Sequence, residues 1–130
     1  MARGRRLAIA GLLTVGLLVP AGAASGKDGD VIREGQCSGA SDWKLKLSEE
    51  NNRIEVEYEV DSNVNGQTWR VRLFRNGNRF FLGNRVTQGP SGSFEVRRVI
   101  DNLAGDDVVT ARARNLGNDE ICRGRAVWTA

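Results

Sequence analysis

The side chains that most often perform catalysis or bind metals are scarce in this chain. Its 130 residues include no histidine and two cysteines. Catalysis by Ser-His-Asp or Cys-His groups and zinc sites built on histidine are therefore excluded. Carboxylate-pair catalysis would have to use Glu55, Glu57 and Glu59. These residues alternate along one predicted strand near lysines, which is typical of a solvated sheet face. We expect no enzymatic activity and no cofactor.

One stretch resembles half of a metal-binding loop. Asp61, Asn63 and Asn65 place oxygen donors at the first, third and fifth positions of a calcium loop, and Gly66 occupies the sixth. The bidentate glutamate of such loops is missing, because the twelfth position is Arg72. Strands rather than helices are predicted on both sides, and Asn, Asp and Gly are also the residues that a turn favours. We therefore expect no bound metal, with this turn as the calcium alternative.

Arginine is the residue type that offers chemistry of another kind. It supplies 16 of the 19 basic residues, and many of these arginines occupy outward positions of predicted strands. Guanidinium groups beside exposed aromatic rings are typical of surfaces that bind polyanions or proteins. The candidate ligand-binding residues are Arg70, Arg72, Phe74, Arg79, Phe81, Arg112 and Arg114, and Arg85, Arg123 and Arg125 share the same predicted face. Solvation is the alternative explanation, because outward strand positions are usually polar.

The N-terminal 24 residues have the pattern of a secretory signal peptide. Three arginines within the first six residues precede an apolar run at 7–19, and small residues follow at 21–23. The apolar run of about 13 residues is shorter than the roughly 20 that span a bilayer as a helix. An N-terminal membrane anchor is the alternative. We expect residues 1–24 to be removed and the remaining protein to be secreted, either free or associated with the cell wall.

Removal of that segment changes both the length and the charge of the chain. About 106 residues would remain, which is enough for one domain and too few for two. The basic residues would fall from 19 to 16 and equal the 16 acidic ones, so the net charge of +3 would fall to about zero. We therefore expect no binding of nucleic acid or of membranes. Residues 25–36 are predicted to be a flexible lead-in, and residues 37–130 the folded domain.

Cys37 and Cys122 are the two cysteines, and export would place them in an oxidising compartment. An even number of cysteines there favours one disulfide, which would close a loop of more than 80 residues. The chain-entropy account of disulfide stabilisation assigns such a closure about 4 kcal/mol. Two free thiols are the alternative.

Apolar residues recur with a period of two from Trp43 onward, which predicts half-buried β-strands. The polar residues 49–52 predict a turn between the first two strands, with Leu47 opposite Ile54. In that register, apolar residues face each other on one side and lysines face glutamates on the other, which supports the hairpin.

A second hairpin is predicted by the pair Asn76-Gly77, because both positions of a two-residue turn must accept positive φ. Leu73 is expected opposite Phe80, with Trp69 on the same inner face and Phe81 on the outer face. Further alternating runs extend to the C-terminus, and none of the chain after the predicted signal peptide keeps a helical period for ten residues.

Seven short strands separated by turns predict an all-β sandwich of antiparallel strands. The chain also resembles immunoglobulin and fibronectin type III domains in Trp69 on the third strand and in Ala104-Gly105-Asp106 before the Ala-Arg-Ala-Arg-Asn run at 111–115. The inter-sheet cysteines usual in immunoglobulin domains are absent. The resemblance implies that the third and fourth strands share a sheet with the sixth and seventh. Its outer face would carry the arginines, and the other sheet would carry the glutamates.

The export signal and the Gly-Pro-Ser-Gly-Ser-Phe stretch at 89–94 are also similar to small secreted actinobacterial proteins, which implies a compartment and a fold but no activity. Our leading hypothesis is an extracellular binding module whose arginines contact an anionic cell-wall polymer or an extracellular protein. A structural protein that associates with copies of itself is one alternative, and a secreted enzyme inhibitor presenting residues 88–93 is another. The sequence does not predict an oligomeric state.

Overall fold

The computed structural model of the protein describes residues 29–129. In this range the strands are β1 (Val31–Gln36), β2 (Asp42–Glu50), β3 (Arg53–Asp61), β4 (Thr68–Arg75), β5 (Asn78–Val86), β6 (Ser93–Asp101), β7 (Asp107–Asn115) and β8 (Ile121–Trp128). The predicted signal peptide lies outside the described residues. Across residues 29–129 we find no helix with the length and apolarity that a membrane span requires.

The strands form two four-stranded sheets in which every pair of neighbours is antiparallel. The first sheet has the order β1-β2-β3-β6 and the second the order β5-β4-β7-β8. The predicted all-β sandwich is therefore confirmed. The β4–β5 hairpin shares a sheet with β7 and β8, as expected, and this arrangement is compatible with an immunoglobulin-like or fibronectin type III-like sandwich.

The segment predicted to be a flexible lead-in, residues 25–36, contains an eighth strand. Val31–Gln36 forms β1, which pairs with β2 along its whole length as an edge strand of the first sheet. The prediction was wrong because an edge strand is held by main-chain hydrogen bonds on one side. It needs little of the apolar alternation by which buried strands are recognised. Val31 nevertheless packs against the core.

The first hairpin forms with its register shifted by two residues from the prediction. Leu47 lies opposite Val56 rather than Ile54. The cause is the turn, because Asn51 and Asn52 both have positive φ, 51° and 64°, and make a two-residue connection. A shift of two residues leaves every side chain on its predicted face, so the core is unaffected.

The second hairpin turns at Asn76-Gly77 as predicted, with φ of 50° and 83°. A bulge between Leu73 and Phe74 then changes the pairing, and Leu73 lies opposite Phe81 instead of Phe80. Because a bulge adds one residue to a strand, it moves the following side chains to the opposite face. Phe81 therefore points inward and is 9% exposed, contrary to its predicted outward position.

The core lies between the two sheets. Trp69 is fully buried on β4, and its ring centroid lies 6.1 Å from that of Phe94 on β6. Tyr58 of the first sheet donates its hydroxyl hydrogen to the carbonyl oxygen of Cys122 in the second, at 3.1 Å. Burial raises the pKa of the Tyr58 hydroxyl, which stays protonated in this bond. The other buried apolar residues are Leu45, Leu47, Ile54, Val56, Val60, Val71, Leu73, Phe81, Val96, Ile100, Val109, Ala111, Ala113 and Ala126.

The predicted disulfide between Cys37 and Cys122 is present and joins the chain just after β1 to β8, across the two sheets. The Glu120 carboxylate holds the loop beside it, accepting hydrogen bonds from the main-chain N–H groups of Gly39 and Ser41 at 3.1 and 2.9 Å. A disulfide in this position is compatible with an extracellular protein.

Trp43 fills the space between β1 and β8 at the same edge of the sandwich. Its ring passes so close to Gly35 and Gly124 that a Cβ atom on either glycine would lie 2.8 or 2.7 Å from a ring carbon. Both positions therefore require glycine because of close packing, and not because of main-chain conformation.

We predict that Gly124→Ala destabilises the fold by about 1–3 kcal/mol, because the added methyl group overlaps the Trp43 ring. Without that overlap, alanine would stabilise the strand relative to glycine. A loss of stability in Gly124→Ala would therefore indicate the overlap, and a gain would indicate that it is absent. Chemical denaturation followed by circular dichroism measures the change. The same substitution made in a Trp43→Phe background is the control and should cost less, because the smaller ring leaves room. Equal costs in both backgrounds would contradict the predicted contact.

Candidate functional site

The outer surface of the second sheet is covered by arginine side chains. The strand pleat sends Trp69, Val71 and Leu73 of β4 into the core and the residues between them outward. The same alternation on the neighbouring strands creates a surface that we call the arginine face. It consists of Arg70, Arg72, Arg79, Arg112, Arg114, Arg123 and Arg125, with Phe74, Leu82 and Thr110 among them.

Three of these arginines form a row across adjacent strands. Arg72 of β4 lies opposite Arg112 of β7, which in turn lies opposite Arg123 of β8. Directly opposed residues of antiparallel strands have Cα atoms about 4.5–5.5 Å apart. Like charges in that arrangement repel each other and destabilise the sheet. We call these three residues the arginine row.

The arginines differ in whether the protein itself provides a partner. Arg114 forms an ion pair with Asp119 at 2.7 Å, and Arg70 donates a hydrogen bond to the side-chain oxygen of Asn84 at 3.4 Å. Within residues 29–129 none of the other five side chains on the arginine face, which are Arg72, Arg79, Arg112, Arg123 and Arg125, forms an ion pair or hydrogen bond. The arginine row therefore has donor groups available to a ligand.

A shallow depression of about 240 Å³ adjoins the arginine row. Arg112 and Arg123 border it on one side, and the Phe74 ring and the Thr110 side chain border it on the other. Main-chain atoms of Gly124 contribute to its floor. The residues that line the depression thus include two arginines, one threonine and one half-buried phenylalanine, and the surface of the depression is mainly apolar.

Six of the seven predicted site residues lie together on the arginine face, and the seventh, Phe81, does not. Phe81 lies in the core, where the guanidinium groups of Arg98 and Arg85 stack on its ring at 4.4 and 5.1 Å from the centroid. The bulge in the second hairpin explains this difference. Thr110 was not predicted, although its outward position on β7, opposite Phe74 of β4 and Arg125 of β8, could have indicated it. Arg123 was placed on the face but not among the binding residues.

The outer surface of the first sheet is acidic, as expected from strand parity together with the sheet order that the resemblance to fibronectin type III domains implies. Its outward residues include the acidic face, defined as Glu34, Asp42, Glu55, Glu57, Glu59, Asp61 and Glu95, together with Lys44, Lys46 and Arg97. These basic residues form ion pairs, Lys44 with Glu59 at 3.9 Å and Arg97 with Glu55. In contrast to the arginine face, the acidic face is partly neutralised by its own side chains.

Glu57 lies in the middle of the acidic face and is half-buried. Burial raises the pKa of its carboxyl group above the ordinary value of 4.5; the Lys46 ammonium opposes this shift, and Glu55 and Glu95 add to it. Ionisation of Glu57 is therefore less favourable in the folded protein than in the unfolded chain.

In the turn that resembles a calcium loop, the first of the three candidate oxygen donors is engaged in a local hydrogen bond. The Asp61 carboxylate accepts a hydrogen bond from the main-chain N–H of Asn63 at 3.0 Å, and Asn63 has a positive φ of 61°. These are features of an Asx turn between strands. The described residues contain no group of three or more His, Cys, Asp or Glu side chains that could hold a metal ion. The calcium alternative at Asp61, Asn63 and Asn65 stays a prediction.

Comparison of the chain with protein-family models, with curated proteins and with solved structures finds no match. A function for this chain is therefore inferred from the geometry and charge of the arginine face.

We predict that Arg112→Gln leaves the fold as stable as the natural protein or raises its stability by about 0.2–1 kcal/mol at low salt, because it removes the repulsion within the arginine row. Added salt should reduce the difference by screening. Denaturant unfolding at several salt concentrations measures it. Arg53→Gln, which removes an ion pair with Asp101 on the other sheet, is the control and should not stabilise. Destabilisation by Arg112→Gln at every salt concentration would contradict repulsion in the row.

We further predict that Glu57→Gln stabilises the protein at neutral pH. Because the pKa of this carboxyl group is higher in the folded state, its ionisation lowers the free energy of unfolding at pH values above that pKa. The loss disappears below the pKa of the unfolded chain, where the group is protonated in both states. The gain from Glu57→Gln should therefore be full at about pH 7 and shrink toward about pH 3, where both states are protonated. Free energies of unfolding across this range test it, with Glu59→Gln, which breaks the pair with Lys44, as the control. A gain independent of pH would contradict the titration of Glu57.

Proposed function

We propose that this protein is secreted and acts without catalysis, as an extracellular or cell-envelope module that binds an anionic partner through the arginine face. The observation that carries the proposal is the arginine row, in which Arg72, Arg112 and Arg123 stand side by side without a partner in the described part of the chain. A solvated face needs polar residues, but it does not need like charges directly opposite each other. An anionic ligand would turn that repulsion into attraction.

The chemistry of the row favours oxyanions. Guanidinium groups carry charge at every physiological pH and present planar donor pairs that match carboxylate and phosphate groups. Several such groups on one flat face suit a polymer with repeated negative charges better than a single small anion. An anionic cell-wall polymer is the partner that this surface fits best. An acidic extracellular protein is the alternative partner.

Secretion is part of the proposal and is supported by the sequence and the disulfide. The N-terminal pattern at residues 1–24 predicts export, and the bond between Cys37 and Cys122 is compatible with an oxidising compartment. The resemblance to small secreted actinobacterial proteins, which rests on the N-terminal pattern and the stretch at 89–94, also favours secretion. The finer resemblance to fibronectin type III domains is likewise part of the proposal.

Self-association is the second candidate function, because the arginine face and the acidic face lie on opposite sides of the sandwich. Head-to-tail contact between them would be heterologous and could extend into a chain of copies. The ion pairs within the acidic face reduce its free charge and make it the weaker partner. A mass that grows with protein concentration at low salt would favour this candidate over the first.

The inhibitor alternative is not proposed. The segment at 88–93 folds back on itself, because the main-chain N–H groups of Gly92 and Ser93 both donate to the Gln88 carbonyl oxygen at 2.9 and 3.2 Å. It offers no extended stretch that could lie in an enzyme cleft.

We predict that the purified protein lacking residues 1–24 is retained on heparin and on isolated cell wall at low salt and elutes as salt increases. The double variant Arg72→Glu/Arg112→Glu should elute much earlier, because it reverses two charges of the arginine row. The matched control Arg33→Glu/Arg53→Glu changes the net charge equally on the first sheet and should elute close to the natural protein.

Flow-through of the natural protein at low salt on both columns would contradict the proposal. Equal losses for the two double variants would show that net charge, rather than the arginine face, determines retention.

A further inference from the structure

The depression beside the arginine row has features that a purely electrostatic surface does not need. It is bordered by a cross-strand pair of unpartnered arginines, Arg112 and Arg123, and on its other side by the Thr110 hydroxyl and the Phe74 ring. A mainly apolar depression of about 240 Å³ is thus lined by residues that carry cations, a hydroxyl and an aromatic ring. Binding sites for small groups typically combine an apolar surface with a few polar groups that fix orientation.

We propose that this depression is a subsite for a single anionic carbohydrate unit, an oxyanion carried on a sugar ring or polyol. The inference rests on the proposed function and specifies which repeating unit the arginine face recognises. Arg112 and Arg123 bind the oxyanion, the Thr110 hydroxyl bonds a hydroxyl of the unit, and its C–H face packs on Phe74. The volume accommodates one such unit.

Local pairing on the arginine face explains why the subsite lies here. At one end of the face Arg114 is bound by Asp119 and Arg70 by Asn84, so these two guanidinium groups are already engaged. At the depression the guanidinium groups are unengaged, and the aromatic ring lies next to them. The arginines without a partner and the depression therefore lie at the same place on the sheet.

The shared chemistry is an oxyanion on a carbohydrate body, and two sources supply it. One is a phosphodiester-linked polyol and the other a chain of uronic acids. Short oligomers of each, six units of poly(glycerol phosphate) and six of galacturonate, serve as probes in calorimetric titrations. Maltohexaose provides the carbohydrate without charge, and tripolyphosphate provides charge without carbohydrate.

Arg112→Gln and Arg125→Gln each remove one charge from the arginine face, but Arg112 borders the depression and Arg125 does not. We expect Arg112→Gln to weaken binding of at least one charged hexamer about tenfold or more, as the loss of charged hydrogen bonds implies. Arg125→Gln should weaken it about twofold to threefold, since it lowers only the general potential.

Phe74→Leu tests the apolar wall, and Leu82→Ala is its control because Leu82 is an exposed apolar residue of the same face outside the depression. Phe74→Leu should weaken binding of the same hexamer and leave tripolyphosphate binding unchanged. The hexamer that responds to both substitutions at the depression identifies the source of the oxyanion.

Equal effects of Arg112→Gln and Arg125→Gln, with hexamer binding retained, would overturn the subsite and leave the proposed function standing. Tighter binding of tripolyphosphate than of both charged hexamers would also overturn the subsite. Binding of maltohexaose as tight as that of the charged hexamers would do the same. No binding of any charged probe, together with flow-through on heparin and cell wall, would overturn the proposed function itself.

Discussion

The strand pleat is the constraint on which the rest of this molecule depends. Each residue sent into the core obliges its neighbour to face solvent, so burial of Val71 and Leu73 places Arg70 and Arg72 outside. The same rule applied to β7 and β8 brings Arg112 and Arg123 beside Arg72. The arginine face is thus built on the back of the hydrophobic core. A binding surface of the proposed kind needs no cleft, because the sheet itself sets the positions from which the arginine side chains extend.

The two outer faces differ in how their charges are balanced. On the first sheet, lysines and arginine alternate with glutamates across strands, and Lys44 and Arg97 form ion pairs there. On the second sheet, cations stand next to cations, and two of the seven arginines of the face have a partner within residues 29–129. Such surface interactions are individually worth little. Their arrangement nevertheless gives the molecule a positive side with unsatisfied donors and a negative side that its own basic residues partly neutralise.

The edge where β1 meets β8 holds the two sheets at a short distance. Trp43 lies between two glycines, and the disulfide of Cys37 and Cys122 crosses the sandwich nearby. Tyr58 adds a hydrogen bond from the first sheet to the main chain at Cys122. These contacts fix β8 against the first sheet. Because Arg123 and Arg125 are outward residues of β8, these contacts also set the position of two of the seven arginines on the arginine face.

The fold class, the disulfide and the positions of both hairpins could be predicted from the amino-acid sequence, because they follow from the period of two, the turn residues and the even number of cysteines. The side of the sandwich on which most charges lie required, besides strand parity, the sheet order implied by the resemblance to fibronectin type III domains. The pairing register of the first hairpin, the existence of β1 and the burial of Phe81 could not be predicted in this way. Turn geometry, one-sided main-chain pairing and a bulge each depend on how two strands pair. They therefore cannot be predicted from the composition of one strand. The depression at Phe74, Thr110, Arg112 and Arg123 arose for the same reason, because residues from three strands become neighbours only when the sheet forms.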